Sequence, residues 1–176
     1  MKKLINAELR RMSVEEFKEA QKTPVVIVLD NIRSLNNVGS AFRTADAFLL
    51  EAVYLCGVTG TPPNPEIHKT ALGATESVQW KKFNSTIACI QELKSEGYII
   101  CSAEQTENPT LLQNIQVNKK EKYALVFGNE VYGVEQDVIN ESDKIIEIPQ
   151  YGSKHSLNVA VSIGIVSWEF VKQFRH

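Results

Sequence analysis

Apolar residues along this chain fall into two kinds of run. Short unbroken ones alternate with longer ones whose apolar positions recur every three or four residues. Pro24 to Asp30, Ala52 to Val58, Tyr98 to Ala103, Tyr123 to Phe127 and Lys144 to Ile148 are of the first kind. Such continuous runs, rich in β-branched residues, predict strands buried on both faces. The second kind predicts helices over Val14 to about Gln21, Ser85 to Glu96 and Val159 to about Phe174. A further one opens at Val38, where Val38, Ala41, Phe42, Ala45, Phe48 and Leu49 share a side. Ser13-Val14-Glu15-Glu16 has the form of a capping box, and Gly97 stops the helix before it. Shorter elements fill the gaps: two helical turns at Glu66 to Leu72, an edge strand near Ser77 to Trp80, and a helix at Val134 to Asn140.

Five buried strands alternating with helices predict an α/β fold, a mostly parallel sheet with helices on both faces. With no repeat, linker or low-complexity tract, residues 1–176 read as one domain, 1–23 forming a short N-terminal extension with one helix. Ligands of such sheets bind beyond the carboxyl ends of the strands. Three loops there carry glycine, amide and hydroxyl groups: Asn36 to Arg43, Phe127 to Gly133, and Gly152 to Asn158. The last runs into the final helix, whose free N–H groups and positive dipole end suit an oxygen-bearing ligand.

Composition narrows the chemistry. A net charge of −2 gives no blanket attraction to nucleic acid, so such binding needs local patches. Candidates are Lys2, Lys3, Arg10 and Arg11; Lys81 and Lys82; and Lys119, Lys120 and Lys122, each equally readable as a solvated turn. Cys56, Cys89 and Cys101 form no metal-type spacing and fit a reducing, cytoplasmic setting. No metal site is expected, and no apolar run approaches membrane-spanning length. The start of the chain turns charged too soon for a signal peptide. Phosphate-cradling G-x-G-x-x-G and G-x-x-x-x-G-K-[ST] motifs are absent. His68, His155 and His176 lack a nucleophile at recognisable spacing.

The three loops together resemble the motifs of the SpoU (TrmH-like) family of SPOUT RNA methyltransferases. Asn37 to Ala47 is similar to N-x-G-x-x-x-R-T-A-D-A, Phe127 to Gly133 to F-G-N-E-x-x-G, and Ile148 to Val159 to I-P-x-x-G-x-x-x-S-L-N-V. The resemblance runs from Pro24 onward. It implies methyl transfer from S-adenosylmethionine to a ribose 2′-hydroxyl of RNA, tRNA ahead of rRNA, by a homodimer whose sites draw on both subunits. It also implies a deep C-terminal trefoil knot. The alternative is a knotted RNA-binding protein that has lost catalysis, against which the intact polar residues speak.

By the same resemblance Gly128, Ile148 and Leu157, with Ser156, hold the cofactor, and Ala103 is a weaker match for another contact. Gly128 and Gly152 are equally readable as turn glycines. Arg43 matches the residue that works on the ribose hydroxyl. A guanidinium is a poor base, so its firm role is to grip the neighbouring phosphate and stabilise the alkoxide. Asn37 orients the loop or the arginine, and Glu130, Ser156 and Asn158 complete the polar cluster. Glu130 also reads as a dipole carboxylate ahead of the helix at Val134, and Asn158 as the cap of the last helix. Trp168, Phe170 and Phe174 read as core or dimer contacts. Leu49 stands where relatives often carry glycine, a change of turn. Basic extensions found on tRNA-modifying relatives are not expected here.

Overall fold

The computed structural model describes residues 1–5 and 8–175, so His176 lies outside the described residues. Helix α1 (Val14–Glu19) opens on the expected capping box: Ser13 Oγ accepts from Glu16 N, and Glu16 accepts from Ser13 N. Strand β1 (Thr23–Asp30) then enters the core, followed by α2 (Leu35–Ala47), β2 (Leu50–Cys56), α3 (Pro65–Ala71), α4 (Ala74–Ser77) and β3 (Gln79–Phe83). Next come α5 (Thr86–Ser95), β4 (Tyr98–Ala103), β5 (Thr110–Leu111) and a 3-10 turn at Leu112–Asn114. The chain continues with β6 (Lys122–Phe127), α6 (Gln136–Asn140), β7 (Lys144–Glu147) and α7 (Val159–Arg175).

The seven strands lie in the order β3-β2-β1-β6-β4-β7-β5, and every pairing is parallel. Alternation along each central strand feeds two cores. Val25, Ile27 and Leu29 join one with residues of α2 and α7; Val26 and Val28 join the other with Cys89, Ile90 and Leu93 of α5. A continuous apolar run is thus the signature of a strand with helices on both sides.

Several boundaries differ from the sequence expectation. Helix α2 begins three residues early, because Ser34 Oγ accepts from Asn37 N and caps it. The edge strand starts at Gln79, after the short helix α4. Strand β5 was not expected at all. Among the described residues no helix is long and apolar enough to cross a membrane. Cys56, Cys89 and Cys101 are buried and free.

Candidate active site

Leu29, Phe127, Ala103 and Ile146 stand in one row across the adjacent strands β1, β6, β4 and β7. The four strands therefore end near one level. The segments beyond β4, β6 and β7 line a cleft of about 540 Å³, and the segment beyond β1 is tied to its edge through Glu130.

The wall above β6 is a tight turn. Asn129 and Gly133 exchange two backbone hydrogen bonds, each of 2.9 Å. Asn129 Oδ1 accepts from Val131 N and Tyr132 N, while its Nδ2 donates to Asn31 O at 2.8 Å. Gly133 takes a φ of +71°, which glycine adopts without steric cost. A Cβ on Gly128 would lie 2.1 Å from Gly133 C and Val134 N. The turn itself thus demands glycine at 128, whatever the cleft holds. Gly152 has open space around it.

Glu130 leaves this turn and reaches the start of α2. Its carboxylate accepts from Arg33 N at 3.0 Å, Ser34 N at 2.9 Å and Asn37 Nδ2 at 3.0 Å. Burial alone would raise this carboxyl. The N–H donors outweigh it, and the group is held below its usual 4.5. The alternative reading of Glu130, as a carboxylate for the helix after Val134, is not the one realised: it sits at the N-terminus of α2, where free N–H groups and the dipole favour an anion. Asn37 passes the link on, its Oδ1 accepting from Asn158 Nδ2 at 3.4 Å. Asn158 Oδ1 in turn accepts from Ala160 N at 2.9 Å, capping α7 as expected.

Ala103, Gly128, Ile148, Ser156 and Leu157 all line the cleft, together with Glu130 and Asn158. Asn37 is joined to them by hydrogen bonds and orients Glu130 and Asn158 rather than the arginine. Arg43 stands apart. It is exposed on α2, outside the lining, and among the described residues it makes no ion pair within the protomer.

Sequence reasoning missed two residues that follow β4. Glu104 accepts from Val134 N at 2.9 Å, and Gln105 Nε2 donates to His155 O at 2.8 Å. One strand end thereby ties the turn after β6 to the loop after β7. A carboxylate and an amide at the carboxyl edge of a buried strand were the available signal. Among the described residues no group of His, Cys, Asp or Glu is placed to hold a metal ion.

Helices α2 and α7 lie side by side and run the same way: Asn37 meets Asn158 at their starts, and Phe48 at the end of α2 packs on Trp168 beyond the middle of α7, ring centroids 5.7 Å apart. The fold is similar to that of an AdoMet-bound rRNA methyltransferase from Sinorhizobium meliloti. The two superpose with a TM-score of 0.80 over 91% of this chain and 61% of that one, at 23% identity, a likeness of fold. In sequence the chain is 29% identical over 170 residues to the 23S rRNA (guanosine-2′-O-)-methyltransferase RlmB of Neisseria meningitidis, covering 96% of this chain and 67% of that protein. It is 26% identical over 167 residues to the tRNA (guanosine(18)-2′-O)-methyltransferase of Borreliella burgdorferi, covering 94% and 74%. The chain thus spans between about three fifths and three quarters of the length of these proteins.

The fold is the one shared by a class of solved methyltransferases. Residues 24–168 match the model of the SpoU rRNA Methylase family, and the chain belongs to that family.

Proposed function

We propose that this protein transfers a methyl group from S-adenosylmethionine to a ribose 2′-hydroxyl of RNA, a tRNA ahead of an rRNA. The observation that carries the reading is the unbroken polar chain Glu130–Asn37–Asn158, which fastens all three motif segments at one cleft edge.

The cleft suits that cofactor. Its volume falls in the range of small-molecule sites. Glu104, Glu130 and Glu147 border it and, among the described residues, no lysine or arginine does, which favours a cation. Bound S-adenosylmethionine supplies a methyl group made electrophilic by its sulfonium. Backbone beside Gly128, Ile148 and Leu157 presents hydrogen-bonding edges to hold it. Ser156 offers an exposed hydroxyl at the same wall. Arg43 grips the phosphate next to the target ribose and stabilises negative charge on the ribose oxygen as its proton leaves.

Because Arg43 lies outside the lining of its own cleft, we infer that it serves the cleft of a second copy in a homodimer. Helix α7 supports this. Val161, Ile165 and Trp168, at steps of four and three, are exposed large apolar residues on one face. Ser167 beside Trp168 is fully buried in the protomer, so the free face is the one carrying Trp168.

The trefoil knot belongs to the same reading. The connection 104–109 starts beside β7 at Ile146 and ends on the other side of β7 at the same residue. Strand β7 thus lies between β4 and β5, the two strands that this connection joins. On this reading residues 1–176 form a single methyltransferase domain, 1–23 being a short N-terminal extension, and it works in the cytoplasm.

The experiment is methyl transfer from labelled S-adenosylmethionine to RNA of cells lacking the gene, followed by mapping of methylated riboses. A ribose methylated only when the protein is added supports the reading. Calorimetric binding of S-adenosylmethionine without any transfer would identify an inactive binding protein instead.

A further inference from the structure

Two tyrosines stand open to solvent around the cleft. Tyr132, at the tip of the 129–133 turn and part of the cleft lining, is 85% exposed; Tyr151, next to the lining residue Gln150, is 94% exposed. Val131 beside Tyr132 is 71% exposed. The backbone under Tyr132 is firmly braced: the paired Asn129–Gly133 bonds, the Asn129 side chain accepting from Val131 N and Tyr132 N, and the anchor to Asn31 O all converge there. A ring held out by a braced turn has little freedom left to lose on binding.

Each tyrosine has a cationic residue in its neighbourhood of the fold or the chain. The Arg33 backbone N–H donates at 3.0 Å to Glu130, two residues before Tyr132, and Lys154 follows Tyr151 by three residues. Both are exposed, and among the described residues neither enters an ion pair. Open aromatic faces interleaved with free cations match single-stranded nucleic acid, whose bases stack while its phosphates meet the cations. The acidic cleft interior repels a polyanion and the chain carries a net charge of −2, so purchase on RNA has to come from the rim.

We propose that Tyr132 and Tyr151, flanked by Arg33 and Lys154, form a base-stacking platform that holds unpaired nucleotides beside the ribose presented to the cleft. This rests on the RNA reading of the site and names how the RNA is held.

Binding of a fluorescent single-stranded oligoadenylate to the whole protein at low salt, with no methyl donor, tests it. Tyr132→Ala and Tyr151→Ala should each weaken binding about tenfold, the scale of one lost stacking partner, while Tyr132→Phe stays within about twofold of wild type. Arg33→Ala should flatten the dependence of affinity on salt. Melting temperatures should stay unchanged, because the rings are exposed. Wild-type affinity in Tyr132→Ala overturns the platform, as does a wild-type protein that binds no oligoadenylate. A Tyr132→Ala protein that becomes monomeric while the wild type is dimeric overturns it too, placing the ring against a second copy. A wild type that binds the oligonucleotide through these rings but methylates no RNA leaves the platform standing and sinks the methyl-transfer reading.

Discussion

Asn158 reaches Asn37 across 121 positions of sequence, donating from Nδ2 to Oδ1 at 3.4 Å. The direction of that bond is forced from both ends. An ionised Glu130 can only accept, so Asn37 turns its amide nitrogen to it and its oxygen away. Asn158 uses its own oxygen on Ala160 N and has only its nitrogen to offer. Two asparagines thus relay one orientation from the start of α7 to the start of α2.

Asn37→Asp breaks this relay with almost no change of shape. A carboxylate would then face Glu130 where a donor stood. Methyl transfer should fall to a few per cent or less, and stability by about 1 kcal/mol at neutral pH. Thermal melts at pH 7 and pH 4 check the cause. The loss should shrink at pH 4, and an equal loss at both would point to packing rather than charge.

Glu130→Gln should remove the anionic cap of α2 and cost about 1 kcal/mol, lessened by the exposure of the group. The pH dependence has a fixed sign. The carboxyl is held below 4.5 in the folded chain, so as pH falls the unfolded chain takes up its proton first. The contribution is present above about pH 4.5 and is lost as pH falls through the lowered value. Denaturant titrations of both proteins should show a constant difference from pH 7 to about 5 that fades below.

Gly128→Ala sets a Cβ against backbone at 2.1 Å, whereas a Cβ at Gly152 meets nothing within 4 Å. The first should cost about 2 kcal/mol or more and weaken S-adenosylmethionine binding through the distorted turn. The second should stay within about 0.5 kcal/mol of wild type. Calorimetry and melts on the pair separate a turn glycine from one that serves only the ligand.

Leu49 adopts a φ of +53° in the turn from α2 to β2, and its side chain packs on the main core. Leu49→Gly relieves left-handed strain of about 1 kcal/mol while losing a contact of similar size, so stability should hardly move. Leu49→Ala keeps the strain and loses the contact, and should melt lower by about 1 kcal/mol. A clear gain from alanine would mean the leucine contributes nothing to packing.

Mixed dimers test the shared site. A chain carrying Arg43→Ala and one carrying Asn158→Ala are each inactive alone. Co-expressed, they should regain a quarter or less of wild-type turnover, because one site in each mixed dimer keeps both groups. No recovery in a verified mixed dimer would mean that each subunit works alone. Light scattering showing a monomer at micromolar concentration would remove the dimer altogether.

Central strands and long helices were legible because their patterns are dictated by what they touch. Val25 to Leu29 is apolar throughout since both faces are covered. Thr110–Leu111 escaped notice because two half-buried residues make no pattern. The start of α2 was misjudged because Asn36 and Asn37 read as loop, while the cap that decides the matter is Ser34. For Glu130 the sequence offered the polar cluster or the nearer helix; its partners, Arg33 and Ser34, lie 97 and 96 residues away, at the helix the alternation of runs did not link to it. Gly128 and Gly152 read alike in the sequence, as turn or ligand glycines, and only the packing against Gly133 and Val134 separates them. Periodicity reports burial well, but it carries no record of which loops meet.

The position of β7 sets an order of assembly. Without it, β3, β2, β1, β6 and β4 already form an unbroken set of neighbours, while β5 has no strand beside it. The chain up to Lys144 can therefore pair five strands and complete the core around α5, whereas the other core still waits for Ile146 and for Ile163, Val166 and Phe170 of α7. Only when that last strand slots in beside β4 does β5 gain its partner, and only then do the residues of the third motif arrive at the edge where the other two wait. The cleft comes into being only with this last strand and the loop that follows it.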